Sequence, residues 1–77
     1  MRLTIYSKPG CHLCEEMKAM VAREVRGRAI WVEEIDISAD AALLEQYESQ
    51  IPVLLVDGKK VAKYRISEAD LRRRIGA

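Results

Sequence analysis

The chain has 77 residues, 49% of them hydrophobic and 32% charged, with a formal net charge of +1. That composition suits one globular domain near the lower size limit for folding on a single core, and it excludes a disordered chain. No apolar run approaches the ~20 residues of a membrane span, and Arg2–Tyr6 is too short for a signal sequence.

Leu3-Thr4-Ile5-Tyr6 is rich in strand formers, and Pro9-Gly10 breaks it into a loop. From Cys11 onward Leu13, Met17, Met20, Val21 and Val25 recur at helical spacing, with Glu15, Glu16, Lys18, Arg23 and Glu24 on other faces. Gly27 is the predicted stop, and Arg23 and Arg26 suit the negative end of the helix dipole. Ala29–Ile37 reads as the second strand. Because a helix joins them, the first two strands are expected to run parallel through a right-handed crossover.

Ser38 is the predicted N-cap of a second helix through Leu43, Leu44 and Tyr47, with Asp40 in its first turn. Val53–Val56 is a continuous apolar run, as in a strand covered on both faces. Asp57-Gly58 then signals a type I′ turn, and Val61–Tyr64 returns as the partner strand. Ser67 caps the last helix with Asp70 three residues on, and Ile66 and Leu71 form a hydrophobic staple. Leu71 and Ile75 are expected inside, with Arg72, Arg73 and Arg74 mainly in solvent. The order βαβαββα predicts one α/β domain over residues 1–77, a mixed four-stranded sheet with three helices distributed over both faces.

Charge is unevenly spread. Residues 29–58 hold seven acids and no Lys or Arg, whereas residues 59–77 hold seven bases against Glu68 and Asp70. These are read as solvated faces, or as surfaces that steer a partner protein or an anionic thiol. The basic tail lacks aromatic or glycine motifs, which argues against nucleic acid.

The chemistry gathers in Ser7-Lys8-Pro9-Gly10-Cys11-His12-Leu13-Cys14, which holds both cysteines, the only His and one of two prolines. Two intervening residues let one helical turn close a disulfide. The first sulfur falls at a helix start, where unpaired backbone N–H groups and the helix dipole stabilise a thiolate. Lys8 adds to that effect, and Glu15 and Glu16 oppose it. His12, if protonated, would favour the thiolate too; exposed at the second helix position it would do little.

So small a loop restrains almost none of the unfolded chain, so the pair is no scaffold and a reducing, cytoplasmic location is expected. The competing readings are two inert buried thiols or half a zinc site. Packing does not require the spacing, and zinc needs four ligands where only His12 remains as a nitrogen donor. No metal is therefore expected, a cluster shared between two subunits being the residual alternative. Met17 and Met20 read as core filler. Tyr6 and Tyr64 either line a groove beside the cysteines or pack in the core or edge.

Taken together, Lys8–Cys14, Ile51-Pro52 and the Asp57-Gly58 hairpin resemble a small glutaredoxin or thioredoxin-like protein over essentially the whole chain. The run from Tyr6 through Cys14, followed by Glu15 and Glu16, is similar to a glutaredoxin-like group. The resemblance implies a thioredoxin-like fold of glutaredoxin type and reduction of protein or small-molecule disulfides by dithiol exchange. It makes Cys11 the nucleophile and Cys14 the resolving thiol. It makes Pro52 a cis-proline facing the pair, and the backbone of Ile51 a partner for an extended substrate segment.

Glutathione-using relatives usually carry Thr-Val-Pro and a Gly-Gly turn where this chain has Gln50-Ile51-Pro52 and Lys63–Ser67, and thioredoxins carry Trp-Cys-Gly-Pro-Cys. The electron donor is accordingly either glutathione, as co-substrate, or a flavoprotein reductase. No bound cofactor, no nucleic acid, no membrane and a monomeric state are expected. The alternative is a binding module of the same fold that holds an extended peptide, a metal or an iron–sulfur cluster beside the cysteines, with little turnover.

Overall fold

The computed structural model describes residues 1–76. Its elements are β1 (Arg2–Ser7), α1 (His12–Glu24), β2 (Trp31–Asp36), a 3-10 turn (Ile37–Ala39), α2 (Ala41–Tyr47), β3 (Val53–Val56), β4 (Lys59–Lys63) and α3 (Glu68–Ile75). The sheet order is β2-β1-β3-β4. β1 runs parallel to β2 and antiparallel to β3, and β3 and β4 form an antiparallel hairpin. The expected order and mixed sheet are what the chain forms.

Alternation along β1 sends its side chains to two different layers. Leu3 and Ile5 join Met17 and Val21 of α1, Leu54 of β3, and Leu71 and Ile75 of α3 in the larger core cluster. Each such side chain contributes about 1.5–3 kcal/mol through removal from water. Tyr6 points the other way, into a smaller cluster of Cys14, Ile37 and Ile51 capped by Leu43, Leu44 and Tyr47. The cysteine pair thus lies where α1, α2 and the end of the sheet meet.

The hairpin turns at Asp57 and Gly58, whose φ angles of 48° and 86° are both in the left-handed region that a type I′ turn requires. Asp57 is held there by Arg2, whose N–H donates to Oδ1 at 2.8 Å while the Asp57 N–H donates to the Arg2 carbonyl at 2.8 Å.

Several boundaries differ from the sequence expectation. β2 begins at Trp31 rather than Ala29, and β4 spans Lys59–Lys63 rather than Val61–Tyr64. Leu54 pairs with Ala62 and Leu55 with Lys60, so Val61 is the extra residue of a bulge on this edge strand. α1 ends at Glu24, before Gly27, which serves the turn beyond.

The second helix is capped by Asp40 and not by Ser38. Asp40 Oδ1 accepts from the N–H groups of Ala42 and Leu43 at 2.9 and 3.2 Å. Ser38 is already engaged in a local turn, donating its N–H and hydroxyl to Asp36 Oδ1 at 2.9 and 2.6 Å. Among the described residues no helix is long and apolar enough to cross a membrane.

Candidate active site

Pro9 and Gly10 turn the chain out of β1, with Gly10 at a φ of 80°, and deliver Cys11 to the start of α1. Cys11 is the N-cap, in extended conformation at φ −92°, ψ 108°. Its Sγ accepts the N–H of Cys14 at 3.1 Å, one of the donors that a helix start leaves unpaired. The two cysteines are joined as a disulfide across a Cα–Cα distance of 5.2 Å. Their environments differ: Cys14 is fully buried, whereas Cys11 is half-buried. After reduction, the sulfur that solvent reaches is the one the helix start favours as an anion.

The Ile51–Pro52 peptide bond is cis. Both residues are buried, and Ile51 belongs to the same cluster as Cys14, which sets the loop against the pair. Tyr64 straps this loop from β4's end. Its N–H donates to the Pro52 carbonyl at 2.8 Å and its hydroxyl to the Ser49 carbonyl at 2.7 Å. Tyr64 follows β4 in a left-handed conformation, φ 68°, with Lys63 Nζ 5.6 Å from its ring centroid. Tyr6 packs against Tyr47 with ring centroids 4.8 Å apart and planes tilted by 50°, in the cluster that also packs Cys11. Tyr6 is half-buried against the cluster that holds the pair, and exposed Tyr64 lines a groove that includes Leu13 but neither cysteine.

That groove, of about 410 Å³, lies along one face of α1 between Leu13, Met17 and Met20 and the segment Tyr64–Ser67. Met17 is core as expected, 3% exposed, but both methionines also floor the groove. A second, more polar groove of about 340 Å³ lies along a different face, lined by Ser7, Lys8, Pro9, Glu15, Lys18, Glu34 and Asp36. His12 is turned outward, its side chain 90% exposed and Nε2 3.5 Å from Glu16 Oε2. Among the described residues no three His, Cys, Asp or Glu gather as a metal site would need.

Sequence reasoning missed the polar network in the second groove. Lys18 Nζ lies 2.8 Å from Glu15 Oε1 and 2.9 Å from Glu34 Oε2, and Ser7 Oγ donates to that same Glu34 oxygen at 2.7 Å. Hydrogen bonds to Glu15 and Glu34 hold the Lys18 ammonium above its usual pKa. Lys18 first, and Ser7 second, hold the Glu34 carboxyl below its own. The three-residue spacing of Glu15 and Lys18 on a helix signals half of this arrangement; Glu34 arrives only through the β1–β2 register.

The family model described as Glutaredoxin-like domain (DUF836) matches residues 2–76. The chain belongs to that family. A similar curated protein is the Glutaredoxin-like protein YDR286C homolog of Dictyostelium discoideum, 27% identical, the match covering 92% of this chain and 71% of that protein. Among solved structures, the glutaredoxin-like chain is similar to the target protein XcR50 of X. campestris at 28% identity and a TM-score of 0.78, covering 95% and 93% of the two chains. It is also similar to the thioredoxin-like protein BC3987, at 28% identity and a TM-score of 0.67, covering 94% and 97%. The glutaredoxin-like domain is thus a thioredoxin-superfamily fold carrying a Cys-x-x-Cys pair at the start of its first helix.

Proposed function

We propose that this glutaredoxin-like chain is a dithiol–disulfide oxidoreductase that reduces protein or small-molecule disulfides. The observation that carries the reading is the asymmetry of the pair: Cys11 half-buried at the helix N-cap, Cys14 sealed one turn further in. The Cys11 thiolate attacks one sulfur of the substrate disulfide, forming a mixed disulfide and releasing the first substrate thiolate, which takes up a proton. Cys14 then gives up its proton and attacks the Cys11 sulfur. The second substrate thiol leaves, and the Cys11–Cys14 disulfide closes. Two electrons have passed from the pair to the substrate.

In this reading Ile51 offers its backbone to an extended substrate segment beside Pro52, and Tyr6 and Tyr64 shape the flanking surface. Lys8 and His12 adjust the Cys11 thiolate, His12 sharing its charge with Glu16 when protonated. Two electrons from glutathione or from a flavoprotein reductase restore the dithiol. The Lys63–Ser67 segment, where glutathione-using relatives usually have a Gly-Gly turn, carries no glycine, which supports a loosely held glutathione rather than a tightly bound one. The protein works as a monomer in the cytoplasm, without metal or bound cofactor.

The test is reduction of a protein disulfide, followed by alkylation and mass analysis. Cys11→Ser is expected to abolish turnover, and Cys14→Ser to accumulate a mixed disulfide on Cys11. Full activity in Cys11→Ser would overturn the assignment. Absence of turnover in the unaltered chain, with retained binding of an extended peptide, would favour the binding-module alternative.

A further inference from the structure

Lys18 joins both sides of the active-site turn. Ser7, 2% exposed, is the last residue of β1 before the loop that leads to Cys11. Glu15 follows Cys14 directly, and Lys18 lies one helical turn beyond Cys14. Helical side chains lean toward the N-terminus, so the Lys18 ammonium sits alongside the turn that carries the cysteines. Through Glu34 it reaches Ser7, and through Glu15 it reaches the first turn of α1.

We propose that Lys18 is a positioning residue of the cysteine pair, neutralising Glu15 and Glu34 so that the Cys11 thiolate forms beside a charge-balanced wall. The inference rests on the redox reading above. In the proposed reaction Cys11 attacks as an anion, and the ionisable groups that flank the active-site turn come from three elements. The loop supplies Lys8; α1 supplies His12, Glu15, Glu16 and Lys18; β2 supplies Glu34 and Asp36. Glu16 faces His12, and Asp36 is engaged by Ser38. Removal of Lys18 leaves Glu15 and Glu34 without their shared cation beside the active-site turn, and the added negative charge favours the disulfide.

The opposite charge change at the same place has the opposite effect. Replacing Glu34 with a neutral amide leaves Lys18 on Glu15 alone and favours the dithiol. A tie that was merely mechanical would be loosened by either substitution, with no reversal of sign.

The experiment equilibrates the full chain with mixtures of reduced and oxidised glutathione at neutral pH, traps free thiols and weighs the products. In this exchange the S–S bond of oxidised glutathione takes two electrons and two protons from the Cys11 and Cys14 thiols. Their own S–S bond forms, and two glutathione thiols are released. Lys18→Gln is expected to shift the equilibrium about threefold toward the disulfide, about 14 mV more negative. Glu34→Gln is expected to shift it by about the same factor toward the dithiol, and Lys18→Arg to restore the original position.

The pH at which Cys11 becomes reactive to iodoacetamide should rise in Lys18→Gln and fall in Glu34→Gln. Shifts of the same sign in the two variants, or none in either, would overturn the role of Lys18 while leaving the redox reading intact. If the unaltered chain forms no Cys11–Cys14 disulfide at any glutathione ratio, the redox reading itself fails and takes the inference with it.

Discussion

Arg72 grips Glu24 with two nitrogens, Nε at 2.7 Å from Oε1 and Nη2 at 3.2 Å from Oε2, and so fastens α3 to the end of α1. The sequence expectation left Arg72 mainly in solvent. Its side chain is indeed 52% exposed, but Glu24 beneath it is only 12% exposed. Glu68 adds a weaker contact to each helix, 3.5 Å from Arg72 and 3.7 Å from Arg23.

This pair predicts how stability depends on pH. The hydrogen-bonded Arg72 guanidinium holds the Glu24 carboxyl below its ordinary value of 4.5. A carboxylate lowered on folding stabilises the folded state fully above its unfolded pKa, and that contribution is lost as pH falls through the folded value. Arg72→Ala should therefore lower the urea midpoint at pH 7. The gap to the unaltered chain should narrow as pH falls below 4.5, measured by urea titration at a series of pH values. A gap that stayed constant with pH would mean that Arg72 acts through packing.

Asp40 predicts a second outcome. Its carboxylate satisfies two N–H groups at the start of α2, the helix that presses Leu43, Leu44 and Tyr47 onto the cluster around Cys14. Asp40→Ala should destabilise the chain by about 1 kcal/mol, the usual effect of removing an N-cap. Ser38→Ala should do less, because its hydroxyl bonds only to exposed Asp36. Thermal unfolding of the two variants side by side decides between Asp40 and Ser38 as the cap.

The Tyr64 strap predicts a third. Tyr64→Phe keeps the ring but removes the hydroxyl that donates to the Ser49 carbonyl. Stability should fall by about 1 kcal/mol, a typical net worth for such a bond. Under the proposed activity, KM for a protein disulfide should rise while kcat holds, because the strapped loop binds substrate and does not react. A drop in kcat at unchanged KM would place Tyr64 in the chemistry instead.

Much of the architecture was legible because its signals are local. The apolar spacing from Leu13 to Val25 announces a helix, and Asp57-Gly58 announces a tight turn because few residues tolerate two successive positive φ angles. The Ser38 error has a physical origin too: two good caps stood two residues apart, and a preceding Asp36 captured the first. The bulge at Val61 could not be read, since register is a relation between strands and leaves no mark in one of them. Glu34 was invisible as a partner of Ser7 and Lys18 for the same reason. It stands opposite Ile5 only because β1 and β2 pair as they do.

The central place of β1 has a consequence for synthesis on the ribosome. Leu3 pairs with Val56, 53 residues later in the chain. At ordinary elongation speeds the first strand waits about 3–10 s for its antiparallel partner to be made. Until then β1 has no partner on its β3 side, and that edge is open to other strands. The centre of the sheet is therefore closed on its β3 side only by a distant part of the chain.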